Sequence, residues 1–201
     1  MKLLIINNYM DTIPNRLIEC LEELDTHPVV IKYNELSKIV SINNYDAVIL
    51  SGTSNYPAEN QEIYKDEMKF IRNVSTPLLG ICGGGQLLAL TFGCKLKKMH
   101  TPVYGKKNIT KIEDDFIFND IINNYYFSRH IYIINKVSIE FKVLALYGSY
   151  PYLIKHKHRL YYGCQFHPER RNDGKQLLKN FIELARIDKC YEKIDQNYKS
   201  S

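Results

Sequence analysis

Long apolar runs are missing from this 201-residue sequence. The apolar stretch nearest its start, Leu3 to Ile6, breaks off at two asparagines. A secretory signal core takes about 7–15 apolar residues and a membrane-spanning helix about 20. The expectation is therefore a chain with neither a signal segment nor a membrane partner. Paired cysteines are missing as well: the five cysteines are odd in number, irregularly spaced and include no C-x-x-C. That argues against a disulfide framework or a zinc finger and fits a reducing, cytoplasmic compartment. A zinc site built from Cys82, Cys94, Cys164 and His167 has no metal-ligand spacing, so neither a metal nor a cofactor is expected. Strong charge is lacking too. The net charge is +5 with 24% charged residues, and the lysines are scattered, which reads as general solubility and not as a nucleic-acid surface. The densest basic stretch, KHKHR at 155–159, lies between strand-like runs and reads as an exposed hairpin turn.

What is present suits one domain. At 45% hydrophobic the chain can bury one sizeable core but not two, and no repeat, low-complexity segment or linker interrupts it. The expected boundaries are a domain over 1–187 and a polar, frayed tail over 188–201. Lys2–Ile6, PVVIKY (28–33), DAVILSG (46–52) and TPLLGI (76–81) read as buried strands. Between them lie a helix opened by Thr12 and Pro14 and a second over 59–72. Continuous apolar strands alternating with helices predict an α/β fold, with an open, mainly parallel sheet of the flavodoxin-like kind covered on both faces. From Cys94 to Phe166 the texture changes. NITKI, HIYII, FKVLAL and RLYYGCQF follow one another as short strands and predict a small antiparallel extension. A last helix is expected from Gly174 to Ile187.

The chemistry gathers at LLGICGGGQLLALTFG (78–93). A strand that ends in Cys82 and turns at once into a helix lifts that thiol to the carboxyl edge of the sheet, where open α/β folds bind ligands. Glycines permit the strained turn and the close approach of neighbouring backbone. The helix N-terminus favours thiolate over thiol and offers N–H groups to an oxyanion. By itself the same pattern also describes a small buried thiol followed by a glycine connector, so the nucleophile reading needs a base. His167 is the candidate: it ends the strand-like YYGCQF and is followed by Pro168 and Glu169, a carboxylate placed to hold the imidazole.

These residues resemble a known family. GICGGGQ (80–86) resembles the nucleophile elbow G-x-C-x-G-x-Q of class I, triad-type glutamine amidotransferases, and CQFHPE (164–169) resembles their H-P-E motif, in the family's order. VILSGT (48–53) sits where the family has its glycine-rich oxyanion strand, and DGKQLLKNFI (173–182) resembles its closing helix. The resemblance implies hydrolysis of the glutamine side-chain amide, with Cys82 as nucleophile, His167 as base and acid, and Glu169 orienting it. It also implies oxyanion N–H groups at Gly52 and Gly83, and substrate seating by Gln86 and the backbone around Arg129 and His130. His130 reads equally well as an ordinary strand histidine.

VILSGTSN and VYGKKNITKIEDDFIFNDI (103–121) look most like the glutaminase subunit of two-chain GMP synthetases. With no second domain to use ammonia, the implied partner is an ammonia-accepting synthetase subunit on a separate chain, of the ATP-dependent GMP synthetase kind. The rival is the glutaminase component of anthranilate or aminodeoxychorismate synthase. The readings from other classes are a γ-glutamyl hydrolase-like peptidase and a silent regulatory subunit. Three departures stand out. Thr53 and Ser54 replace Gly-Pro; Arg129-His130-Ile131-Tyr132 replaces S-H-G-D; and Gly85 replaces a larger residue, which predicts a void or an altered partner surface.

Overall fold

The structure, a computed structural model, describes residues 1–170 and 173–199. The first half of the chain alternates strand and helix. It comprises β1 (Lys2–Asn8), α1 (Asn15–Glu22), β2 (His27–Lys32), β3 (Ala47–Thr53), α2 (Lys65–Asn73), β4 (Leu78–Ile81) and α3 (Gly83–Thr91). The second half is mostly strand: β5 (Lys95–Asn108), β6 (Thr110–Lys111), β7 (Tyr125–Lys136), β8 (Phe141–Tyr147), β9 (Tyr150–His156) and β10 (Tyr161–Cys164), closed by α4 (Asp173–Lys199). Eight strands form one sheet in the order β2-β1-β3-β4-β10-β9-β8-β6, while β5 and β7 pair in a separate antiparallel ribbon. The strands from β2 to β10 in that order run parallel, and β9, β8 and β6 continue antiparallel. This is the mainly parallel α/β sheet with an antiparallel extension that the sequence predicts.

Side-chain alternation explains why the parallel strands are apolar throughout. Leu3, Ile5, Ala47, Ile49 and Leu79 share one core with Leu17 and Leu21 of α1 and Leu178 and Phe181 of α4. Their neighbours Leu4, Ile6, Val48, Leu50 and Leu78 share the other core with Ile71 of α2 and Leu87 and Leu88 of α3. Successive residues of a strand point to opposite faces. Because helices cover both faces, neither set meets water, and each fully buried Leu, Ile or Val contributes about 1.5–3 kcal/mol relative to exposure. Among the described residues no helix is long and apolar enough to cross a membrane.

Several expectations change in detail. The helix expected over 59–72 begins as a 3-10 turn at Gln61–Tyr64 and becomes α only from Lys65. Lysine-rich Lys95–Asn108 gives no strand signal, yet it forms a 14-residue strand. The strand is mostly solvated and is held by backbone pairing with the more buried β7. The last helix does not stop at Ile187 but continues to Lys199, so the segment from Asp188 is helical. The final two residues of that expected tail lie outside the described residues. KHKHR does span the turn between β9 and β10, but His156 belongs to β9 and is buried, its ring edge-on to Phe92 and Phe141.

Strand order also locates the cleft. The chain leaves β1 for β2 on one side and then crosses to β3 on the other. The carboxyl ends of β1, β3, β4 and β10 therefore open onto one crevice beside that reversal, the place where doubly wound sheets bind ligands.

Candidate active site

Cys82 stands between the end of β4 and the first residue of α3, with φ 50° and ψ −105°. A positive φ at a non-glycine residue costs of the order of 1–3 kcal/mol and persists only when its surroundings impose it. Here they do. The Cys82 amide donates to the carbonyl of Cys164 at 2.8 Å, and the Gln86 amide donates back to the Cys82 carbonyl at 2.9 Å. The glycines answer to crowding. A Cβ on Gly83 would run into the Thr53 side chain, and one on Gly85 would lie 2.7 Å from the Cys164 carbonyl oxygen. The void expected at Gly85 is therefore absent, because α3 lies too close to β10 to leave one.

His167 follows β10. Its amide donates to the Phe127 carbonyl on β7 at 2.8 Å, which anchors the backbone. Its Nδ1 lies 2.8 Å from Oε1 of Glu169, which leaves Nε2 as the ring nitrogen available to the Cys82 sulfur, whose charge acts on the ring. Burial alone would lower the basicity of this imidazole. The negative charge and hydrogen bond of the Cys82 sulfur outweigh it, with help from Glu169, and the pKa is pushed up to about 10. That gain exists only while the sulfur carries a negative charge. The sulfur of Cys82 also lies 3.7 Å from the Arg129 carbonyl, to which a thiol would donate.

The three side chains line a cleft of about 560 Å³ with Gly52, Thr53 and Arg129. Gly52, next to last in β3, faces the imidazole, since a Cβ there would sit 3.3 Å from Cε1 of His167. Gly83 opens α3, so its amide stands at the helix N-terminus beside the sulfur. Arg129 is exposed at the rim. The His130 imidazole is turned into a packed network instead: Nδ1 donates to the Tyr132 carbonyl at 3.0 Å, and Nε2 accepts from the Tyr152 hydroxyl at 2.6 Å. Burial lowers its pKa to about 4, so it is neutral. Gln86 is buried, and its Nε2 donates to the Tyr132 carbonyl at 2.9 Å and to Oε1 of Gln165 at 3.1 Å. All that Gln86 keeps for a ligand is its own carbonyl oxygen.

Three residues of this region escape sequence reasoning. Gln165 donates from Nε2 to the Cys82 sulfur at 3.8 Å; it stands two residues before His167, and that spacing was its only signal. Tyr9 lines the cleft just past β1, its hydroxyl against Gly52. Burial and the charges of Glu169 and Cys82 hold it firmly as the neutral phenol. Glu67, on α2, is fully buried and is linked to β3 through Asn8. It accepts at 3.0 Å from Asn8, whose backbone amide donates to Ser51, the residue before Gly52.

Comparison with known proteins agrees with this geometry. The family model for glutamine amidotransferase class-I matches residues 4–184. The chain belongs to the class-I glutamine amidotransferase family. It is 31% identical over 172 residues to a glutamine-hydrolyzing GMP synthase of Borrelia garinii subsp. bavariensis, a match covering 81% of this chain and 31% of that protein. It is 32% identical over 166 residues to anthranilate synthase component 2 of Methanocaldococcus jannaschii, covering 76% of this chain and 80% of the relative. The fold superposes with a TM-score of 0.80 on the crystal structure of a Thermoplasma acidophilum protein provisionally described as one subunit of a GMP synthase, at 27% identity over 98% of both chains. The chain thus spans about a third of the length of the GMP synthase relative and most of the other two. Against this class-I background, Thr53 and Gly83 form a matched pair: the threonine side chain fills the space that a side chain at 83 would need.

Proposed function

We propose that the protein hydrolyses the side-chain amide of glutamine and delivers the ammonia to a synthetase. The observation that carries this is the Cys82–His167–Glu169 arrangement at the strained end of β4. The Cys82 thiolate attacks the amide carbon, and the carbonyl oxygen becomes an oxyanion held by the amides of Gly52 and Gly83. One such donor contributes roughly 2.7–4 kcal/mol to the barrier. The His167 imidazolium gives its proton to the leaving nitrogen, the C–N bond breaks, and ammonia departs from a γ-glutamyl thioester. The now neutral imidazole takes a proton from water, which attacks the thioester; glutamate leaves and the thiolate–imidazolium pair is restored. Glu169 holds the ring in the tautomer this cycle needs. The Gln86 carbonyl oxygen and the backbone at Arg129 and His130 seat the amino-acid end of the substrate.

The acceptor we propose is a GMP synthetase-type partner, supported by similarity to GMP synthases over most of this chain. An anthranilate synthase-type partner is the second reading, favoured by the match to 80% of a component 2 protein. Free thiols throughout the chain suit a reducing cytoplasm. Release of glutamate from glutamine by the purified protein, abolished in Cys82→Ala, tests the chemistry. Glutamate release that survives Cys82→Ala overturns it. Stimulation by an ATP-dependent GMP synthetase subunit or by a chorismate-using subunit decides between the partners.

A further inference from the structure

Four hydrogen-bonding groups run in a line from β7 to the reactive sulfur. The Tyr132 carbonyl can only accept, so it fixes Nε2 of Gln86, which spends one hydrogen there and the other on Oε1 of Gln165. With its oxygen held on that side, the Gln165 carboxamide must turn its nitrogen the other way, toward Cys82 Sγ at 3.8 Å. The backbone of Gln165 is fixed as well, its amide donating to the Tyr152 carbonyl at 2.9 Å. Both glutamines are almost wholly buried, each 3% exposed. A buried carboxamide locked in that direction can only donate to the sulfur, and a thiolate accepts such a bond far more strongly than a thiol does. A thiol has the Arg129 carbonyl to donate to, whereas a thiolate needs donors and is repelled by that carbonyl.

We propose that Gln165 is a catalytic residue, its carboxamide N–H holding the Cys82 sulfur as a thiolate, and that Gln86 is the positioning residue that aims it. The role rests on the glutaminase reading above and adds to it a second donor, unlike His167 in one respect. The imidazole gives up its proton during the cycle, while the amide keeps its hydrogens. The sulfur therefore retains one fixed partner when it leaves the thioester as an anion, the step at which His167 is also handling the proton of water.

The test is the rate at which iodoacetamide alkylates Cys82, followed on the Cys82 peptide by mass spectrometry between pH 5 and 9. The other ionisable groups around the sulfur are His167, Glu169, Tyr9, Tyr152, Cys164 and Arg129, and all remain in each variant. Gln165→Met keeps the size and loses the donor. It should alkylate about tenfold more slowly at pH 7, the worth of one hydrogen bond to a charged group, with the profile moved to higher pH. Gln165→Leu is likewise neutral and without a donor, and should behave the same way if the methionine variant fails to fold. Gln86→Met should show a smaller shift in the same direction, because the Gln165 amide is then free to turn over. A folded Gln165 variant with the wild-type rate and profile overturns the proposal. Alkylation needs no glutamine, so wild-type protein that fails to hydrolyse glutamine yet shows this shift would remove the glutaminase reading and leave the donor standing.

Discussion

Glu67 offers the most exacting test of how this fold treats charge. Its side chain is wholly buried on α2, and among the described residues the one donor that reaches it is Nδ2 of Asn8 at 3.0 Å, while its Oε2 and the Oδ1 of Asn8 have no partner there. A carboxylate with one neutral donor and no cation cannot recover its hydration, so burial raises the pKa from 4.5 to about 8 against the smaller opposing effect of Asn8. The folded protein therefore keeps the proton over a range in which the unfolded chain has lost it. Stability is greatest below the unfolded value of 4.5, falls as pH rises from there to about 8, and levels off above. The slope is about 1.4 kcal/mol per pH unit, so the whole fall is of the order of 5 kcal/mol. Glu67→Gln supplies a neutral amide of the same shape and removes the slope. Urea unfolding from pH 5 to 8, followed by far-UV circular dichroism because the chain has no tryptophan, should give near-equal stabilities at pH 5. A lead for Glu67→Gln should then widen to several kcal/mol at pH 8. The slopes from His130, His156 and His167 occur in both proteins and cancel in the difference. Parallel stability curves for the two proteins would refute the reasoning, because they would mean that Glu67 ionises in place.

Two further outcomes follow from the site. Cys82→Ala removes the largest contribution that raises His167, so the imidazole should titrate well below 10 by NMR, with burial then in control; an unchanged titration would mean that the sulfur is uncharged in the wild type. Gly85→Ala forces a methyl group to 2.7 Å from the Cys164 carbonyl and should cost about 1–3 kcal/mol in the same unfolding assay, whereas a neutral result would mean that α3 can move off the sheet.

The sheet was legible because its strands are buried on both faces: runs such as Ala47–Leu50 admit no other place in a protein of this size. Cys82, His167 and Glu169 were legible for a different reason. Each lies at or just past a strand end, and strand ends of a parallel sheet meet at one edge. What stayed hidden are residues whose meaning depends on contacts distant in sequence. Glu67 sits in a helix among Lys65, Asp66 and Lys69, and nothing in that composition separates a buried acid from a solvated one. His130 lies in a strand whose buried side is set by pairing with β5, itself invisible in its lysines. The expected void at Gly85 failed because a sequence shows which side chain is missing but not how far the opposing backbone has advanced.

Two buried carboxyls near the cleft show how the same group is put to opposite uses. Glu169 lies 2.8 Å from the His167 imidazole, to whose raised pKa its charge and hydrogen bond contribute. Glu67 meets only an amide and stays neutral. Had Glu67 been ionised, an uncompensated negative charge would stand behind the strand that carries Gly52, and on the proposed mechanism it would oppose the oxyanion that forms there. Its neutral form lets Asn8 and Ser51 brace that strand with hydrogen bonds alone. The charged side chains of the cleft then lie on its lining, Glu169 beside His167 with Arg129 and Arg170 nearby, and the polar groups packed behind β3 contribute direction without contributing charge.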